Sequence, residues 1–311
     1  MWRPSFVFDR LFQEINQDTP NFSSSVLADI SNLSDEEMSS FTASWDVLVD
    51  PAKIKLLSTL VEMGQNRAQL DFTGVFFLCL RDPNADVRCL AIEGLWEYED
   101  RTLINPLCKM LINDFSENVR SAAASSLGKF AILSQENKLL ERDTQKVYDL
   151  LFDILENPEE ALEVRRRALE SAAVFNTDWV GEYINWAYNS AESHLKSSSL
   201  FAMGKTSDSY WLTYLLAELQ NASPSIRYEA VSACGELEDE SAIPHLESLI
   251  DDDDIEVQLA AIRSIGLIGG ILAEKILKYC LNSADQVVQD TAREYLDMMD
   301  MDDDLIFGHG G

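Results

Sequence analysis

The feature that most constrains this chain is a self-similarity with a period near 31 residues. An aliphatic residue followed by a basic or amide residue recurs at Val87-Arg88, Val119-Arg120, Val164-Arg165, Leu195-Lys196, Ile226-Arg227, Val257-Gln258 and Val288-Gln289, at intervals of 32, 45, 31, 31, 31 and 31 residues. Four residues past each anchor stands a small residue: Ala91, Ala123, Ala168, Ser199, Ala230, Ala261 and Ala292. Eight past it come Leu95, Leu127, Ala172, Met203, Cys234, Ile265 and Leu296. Offsets of 0, 4 and 8 share one face of an α-helix, so each register is an amphipathic helix with a narrow apolar stripe. A second stripe follows about 20 to 24 residues on, as in Leu107/Met110/Leu111, Leu246/Leu249/Ile250 and Leu277/Cys280/Leu281. Each unit is therefore a two-helix hairpin that cannot bury both stripes alone and must stack on its neighbours.

Punctuation agrees with this reading. Nine residues past the anchor, Gly recurs at Gly128, Gly204, Gly235 and Gly266, where a left-handed helix stop is expected; Trp96, Ala173 and Asp297 break the slot. Asp50-Pro51, Asp82-Pro83, Asn157-Pro158 and Ser223-Pro224 each place a capping side chain before a proline suited to the first helical turn. Asp251–Asp254 precedes the helix anchored at Val257, where carboxylates oppose the helix dipole. Residues 52–63 and 72–80 form a degenerate first unit, and the 45-residue interval carries a polar insertion near 134–147. Ser34-Asp35-Glu36-Glu37 is a capping box opening a helix through Phe41, Trp45 and Leu48. With Phe6, Phe8, Leu11, Phe12 and Ile15 upstream, residues 1–49 read as an N-terminal helical cap, with a loop at 16–25. The domain plan is then 1–49 cap, 50–300 repeat array and 301–311 a frayed acidic, Gly-bearing tail.

The pattern V-R-x-x-A-x-x-x-L-G at this spacing resembles short HEAT-like repeats, especially the subtype also found in bacterial phycobilisome-lyase proteins. The likeness covers roughly Pro51–Asp300 and implies an all-α, right-handed solenoid of about seven to eight helical hairpins. In such repeats the basic slot, here Arg88, Arg120, Arg165 and Arg227, commonly pairs with acids in adjacent turns. The segments DFTGVFFLCLRD and AIEGLWEYED are similar to bacterial HEAT-repeat proteins but imply no mechanism.

Charge narrows the partners. The chain has 24 Lys and Arg against 54 Asp and Glu, a net charge of −30. Broad phosphate neutralisation needs basic surface, so nucleic acid and anionic membrane are excluded as expected partners. The last 112 residues carry 22 acidic and 6 basic side chains, so the excess is denser toward the C-terminal end. Met1–Ile15 mixes charges among aromatics and lacks a signal-peptide apolar region, and uncharged stretches reach only half of the ~20 residues of a membrane helix. Five cysteines without a C-x-x-C pair read as buried thiols in a reducing compartment, and the expected location is cytoplasmic.

Catalytic constellations are nearly absent. HEAT-repeat hydroxylases of the deoxyhypusine type hold iron through His-Glu dipeptides, whereas His194, His245 and His309 precede Leu195, Leu246 and Gly310. There is no Walker loop, G-x-S-x-G elbow or H-E-x-x-H helix, and Gly266–Gly270 reads as a hairpin turn. Asp251–Asp254 lacks the alternating ligands and glycine of a calcium loop and reads as a solvated helix start. Arg165-Arg166-Arg167 is the one basic cluster, read as part of the basic ladder, with an anion site around Arg166 and Arg167 as its alternative. No metal and no cofactor is expected.

The informative departure is aromatic. Trp179, Tyr183, Trp186, Tyr188, Tyr210, Trp211 and Tyr214 crowd two consecutive second helices. In HEAT-like arrays such helices usually line the concave surface, so Tyr183, Trp186 and Tyr214 are expected there beside Glu182, Glu218 and His245. The opposing reading is that the aromatics fill the inter-repeat core. Trp and Tyr flanked by carboxylates suit recognition of an Arg- or Lys-bearing protein surface. The expected function is a non-enzymatic scaffold or adaptor; the alternative, carried by the resemblance and the aromatics, is a bilin-lyase-like or chaperone-like handler of a chromophore. The oligomeric state is left open.

Overall fold

The structure is a computed structural model that describes residues 24–67 and 69–307. Among these residues every regular element is helical. In chain order they are α1 (Ser24–Ala28), α2 (Asp35–Trp45), α3 (Asp50–Asn66), α4 (Thr73–Cys79), α5 (Ala85–Gly94), α6 (Ile104–Asn113), α7 (Glu117–Gln135), α8 (Glu141–Glu156) and α9 (Leu162–Ala172). They continue as α10 (Asp178–Tyr188), α11 (Ser193–Lys205), α12 (Leu212–Glu218), α13 (Pro224–Leu237), α14 (Ile243–Leu246), α15 (Ile255–Ile268), α16 (Gly270–Cys280) and α17 (Gln286–Phe307). Short 3₁₀ turns lead into α6, α12 and α14. The expected stretch 1–15, and most of the loop at 16–25, lie outside the described residues.

The described residues fall into two compact units, those up to 150 together with 158–164, and 151–157 together with those from 165 onward. In the first, α3, α5 and α7 pack successively on one another, and α4 and α6 pack against the first helix of the following hairpin. In the second, α11, α13, α15 and α17 form the same series, with α10, α12 and α16 in the second-helix role. All seven anchors, their +4 small residues and their +8 aliphatics are buried. Each fully buried aliphatic side chain contributes about 1.5–3 kcal/mol relative to exposure. That gain exists only when the neighbouring hairpin is in place.

The recurring glycines do something other than what their position in sequence indicates. Gly204, Gly235 and Gly266 lie inside α11, α13 and α15, not at left-handed stops. A Cβ at Gly204 would stand 2.8 Å from the Ala233 Cα, and one at Gly235 would stand 2.9 Å from the Ser264 Cα. At Gly204 and Gly235 successive first helices touch backbone to backbone, whereas Gly266 makes room for the Tyr295 side chain. Across the second of these contacts the buried Ser264 Oγ donates to the Val231 carbonyl at 2.9 Å. The left-handed residues come three positions later, at Asn176, Ser207, Glu238 and Gly269, all with φ between 44 and 71°. The following turn is then held in two units by an aspartate one residue on, Asp208 accepting from the Tyr210 N–H and Asp239 from the Ser241 N–H.

Other local expectations are sharpened. The capping box at Ser34 and Glu37 is present. Pro224 opens α13 and Pro51 sits in the first turn of α3, but neither Val49, the residue capping α3, nor Ser223 makes a side-chain capping bond. Asp82-Pro83 and Asn157-Pro158 do not open helices, because α5 begins at Ala85 under Asn84 and α9 begins at Leu162. The polar insertion lengthens α7 and α8 around a short turn. The acidic stretch beyond Asp297 is no frayed tail at its start: α17 carries it helically to Phe307. Gly269 and Gly270 form the expected turn after α15.

The basic slot builds a ladder along the turns. Arg88 holds Asp114 at 2.6 Å, Arg120 holds Glu160 at 2.7 Å and Arg227 holds Asp252 at 2.6 Å. Each guanidinium also donates to the carbonyl six residues earlier, at Asp82, Asp114 and Asn221. Gln258 and Gln289 make the same backbone bond to Asp252 and Ser283 without the charge. The degenerate first unit supplies a further rung, Lys53–Asp82 at 2.8 Å, and Lys196 pairs with Glu218 at 2.7 Å. The acid slot also caps turns: Asp82, Asp114 and Asp252 accept from the backbone N–H two residues on. Part of the negative charge therefore has structural employment.

Lys129 of α7 makes a cross-helix cap, its ammonium donating to the Leu95 and Trp96 carbonyls at 2.6 and 2.9 Å beyond the end of α5. Burial pushes its pKa down to about 8 against the opposing influence of Glu99. Below that value both folded and unfolded chains hold the proton and the burial cost is felt in full. Between about 8 and the ordinary lysine value only the unfolded chain stays protonated, so stability rises with pH. Urea titrations at about pH 7.5 and about pH 9.5 are expected to show wild type gaining stability relative to Lys129→Met at the higher pH. An unchanged difference would mean that the lysine titrates normally.

Candidate functional site

The aromatic residues of the second unit divide between surface and interior. On α10, Trp179, Tyr183 and Trp186 recur at helical spacing and meet edge to face, with ring centroids 6.4 and 6.2 Å apart; Phe152 closes the row at 5.2 Å from Trp179. Trp186 is exposed, Tyr183 half-buried and Glu182 exposed. Around α12, Tyr214 packs against Tyr188, Tyr210 and Trp211 at 5.5, 5.8 and 5.4 Å. Trp211 is buried, Tyr214 half-buried, and Tyr210 is exposed over more than half its surface. The aromatics therefore differ in exposure, with Trp186 and Tyr210 at the surface and Trp211 in the interior. Tyr210, whose N–H is fixed by Asp208, is a surface aromatic that periodicity alone did not separate from its buried neighbours.

Glu218 is not a groove residue. It is buried, pairs with Lys196 at 2.7 Å, and accepts from the Tyr188 hydroxyl and Asn221 amide at 2.7 Å each. Burial alone would raise its pKa, but those three donors hold it below the usual carboxylate range. The same burial and the adjacent Glu218 push the Tyr188 hydroxyl up to about 12. All four groups therefore serve the interior of the hairpin. His245 lies exposed on α14.

Arg165 is the exception in the basic ladder, and its neighbours explain why. The slot five residues before the next anchor holds Ser190, not an acid. Among the described residues Arg165 pairs with no carboxylate. It donates to the Leu155 carbonyl at 3.0 Å and stacks its guanidinium over Trp186, 4.6 Å from the ring centroid. The cation expected on a partner is thus already supplied to one face of Trp186 by the chain itself. Arg166 and Arg167 are engaged with Glu170 at 2.9 and 3.0 Å, and Arg166 also donates to Ser198.

Asp254 caps α15 and Asp252 belongs to the Arg227 rung, so two of the four consecutive aspartates have defined structural partners. Among the described residues no group of three or more His, Cys, Asp or Glu is placed to hold a metal ion, and no helix is long and apolar enough to cross a membrane. Cys79, Cys108, Cys234 and Cys280 are buried free thiols and Cys89 is half-buried; burial raises the pKa of all five.

A sequence model of HEAT repeats matches residues 75–173 and 212–297, more than half of the chain. The chain belongs to the HEAT-repeat family. Among solved HEAT-like arrays, YibA of Escherichia coli is 18% identical with a TM-score of 0.47, covering 90% of this chain and 99% of YibA. The complex of CpcE and CpcF of phycocyanin lyase from Nostoc sp. PCC7120 is 14% identical with a TM-score of 0.49, covering 91% and 97%. Human deoxyhypusine hydroxylase in complex with glycerol is 16% identical with a TM-score of 0.38, covering 86% and 96%. No curated protein sequence matches this one. Membership in the family specifies the repeat architecture and leaves the chemistry open.

Proposed function

We propose that this HEAT-repeat protein is a non-enzymatic scaffold that holds a partner protein with a basic surface against the α10–α12 face of its second unit. The observation that carries the reading is the exposure of Trp186 and Tyr210, large aromatics that a packed core would have absorbed. Tyr183 and Tyr214 support them from half-buried positions, and Glu182 and His245 stand exposed on the same set of second helices. Interface anchors are enriched in Trp and Tyr, and charge complementarity with a −30 chain selects basic partners.

The test is affinity capture from native lysate at two salt concentrations, comparing wild type with the Trp186→Ala/Tyr210→Ala double variant. Loss of at least about 2 kcal/mol of binding, near thirtyfold, is expected for a partner seated on these anchors. Capture should also weaken as salt rises. If every captured protein binds the folded double variant as tightly as wild type, the aromatic face is not the contact. The chromophore-handling alternative rests on resemblance and the aromatics, and a bilin titration without an absorbance shift removes it.

A further inference from the structure

The first unit contains a cleft of about 520 Å³ that the aromatic reading of the second unit does not touch. Most of its walls come from residues 71–82 and 91–100, and Val61, Gly64, Gln65 and Leu70 complete them. Phe72 and Trp96 face it with Tyr98, and Asp71, Glu93 and Glu97 contribute three carboxylates. No Lys, Arg or His is among the described lining residues. The volume lies within the range of about 300–1,000 Å³ found for ligand pockets.

Four observations make this a built site. Trp96 occupies the slot nine past the anchor where other units carry Gly, and it is more than half exposed, so here the close helix contact is exchanged for a projecting indole. Trp96 is held from behind, because its carbonyl accepts the Lys129 ammonium and its N–H donates to the Glu93 carbonyl. At the cleft floor the Phe76 ring lies against the bare Cα of Gly94, where a Cβ would stand 2.4 Å from the ring. Among the described residues the side chains of Trp96, Glu93 and Glu97 have no hydrogen-bond or ion-pair partner. The ladder carboxylates are paired; these two are not.

We infer that this cleft takes the guanidinium of an arginine side chain presented by an extended segment of a protein partner. An indole face attracts a guanidinium through its quadrupole, and a planar fork of donors matches two free carboxylates better than a point-like ammonium does. The inference is independent of the α10–α12 reading, since it concerns the other unit and different residues.

The experiment follows the Trp96 indole N–H cross-peak of the ¹⁵N-labelled full chain, assigned by its absence in Trp96→Phe. The probes are acetyl-Gly-Arg-Gly-amide, its citrulline counterpart and spermidine. The arginine peptide is expected to move the peak saturably with a Kd on the order of 1 mM. Citrulline, equal in shape but neutral, should leave the peak in place. Glu93→Gln/Glu97→Gln, folded by circular dichroism, should weaken the arginine peptide about tenfold or more. Trp186→Ala should leave the titration unchanged, which separates the two readings. Equal shifts from arginine and citrulline, or no shift up to about 20 mM peptide, overturn the inference. Spermidine binding more tightly than the peptide overturns it as well, assigning the cleft to a free polyamine.

Discussion

Asp82→Ala is expected to destabilise the first unit by about 3–5 kcal/mol, the range for removing one partner of a buried ion pair. The carboxylate is 2% exposed and receives the Lys53 ammonium and the Trp45 indole N–H on one oxygen, both at 2.8 Å. Its other oxygen accepts the Asn84 N–H at 2.9 Å. Alanine would leave three donors without an acceptor, one of them a lysine ammonium only 6% exposed. That ammonium also sits 5.3 Å from the Trp45 ring centroid, so the loss reaches α2 as well as α3. Lys53→Met combined with Asp82→Leu should recover more than half of the loss, because the uncompensated charge is gone. Urea unfolding of the two variants decides it; equal loss in both would show that packing, not charge, is at stake.

Acid should act on the same rung. Burial alone would raise the Asp82 pKa, but Lys53, the Asn84 N–H and Trp45 together hold it below the ordinary aspartate value. Its stabilisation is therefore present above the unfolded-state pKa and is lost as pH falls through the lower folded-state value.

Gly204→Val carries the second large effect, a loss of about 3 kcal/mol by overpacking. Helix propensity taken alone predicts the opposite sign for filling an internal helical glycine, since Gly is about 1 kcal/mol worse than Ala. The added atoms would meet the Ala233 Cα and Cβ at 2.8 and 3.0 Å, and the first of these is backbone that cannot rotate aside. Gly204→Ala should show a smaller loss of the same sign, measured by the shift of the urea midpoint. A gain in stability for either variant would mean that α11 and α13 separate without cost.

Those glycines show how far the repeat pattern could be read. Offsets of 0, 4 and 8 from each anchor identified buried residues in all seven registers, because one helical face fixes them whatever the neighbour. For Arg88, Arg120 and Arg227 the basic slot pairs with acids in the adjoining turns, as the family resemblance implies, while Arg165 does not. Lys53–Asp82 was missed because an anchor of Ala52 hides the register, and Lys196–Glu218 because Glu218 looked like a groove acid. The glycine periodicity was visible but its use was not: a local signal cannot distinguish a helix stop from a contact with a helix 31 residues away.

The same limit governs the sites. Sequence marked Tyr183, Trp186 and Tyr214 as one group, whereas ring contacts distribute them over two clusters and leave Tyr210 exposed. It also passed over the Trp96 cleft, whose signal was a broken glycine slot in a segment otherwise read as packing.

By itself, the sequence determined the helical hairpin, its repeat and the acidic surface, because periodicity, capping chemistry and charge act within a single turn or helix. Only the tertiary structure decided which carboxylates are consumed by the ladder and which remain unpaired. The physical reason is that pairing depends on side chains some 25 to 40 residues apart, as in Arg227–Asp252 and Arg120–Glu160, brought within 3 Å by stacking.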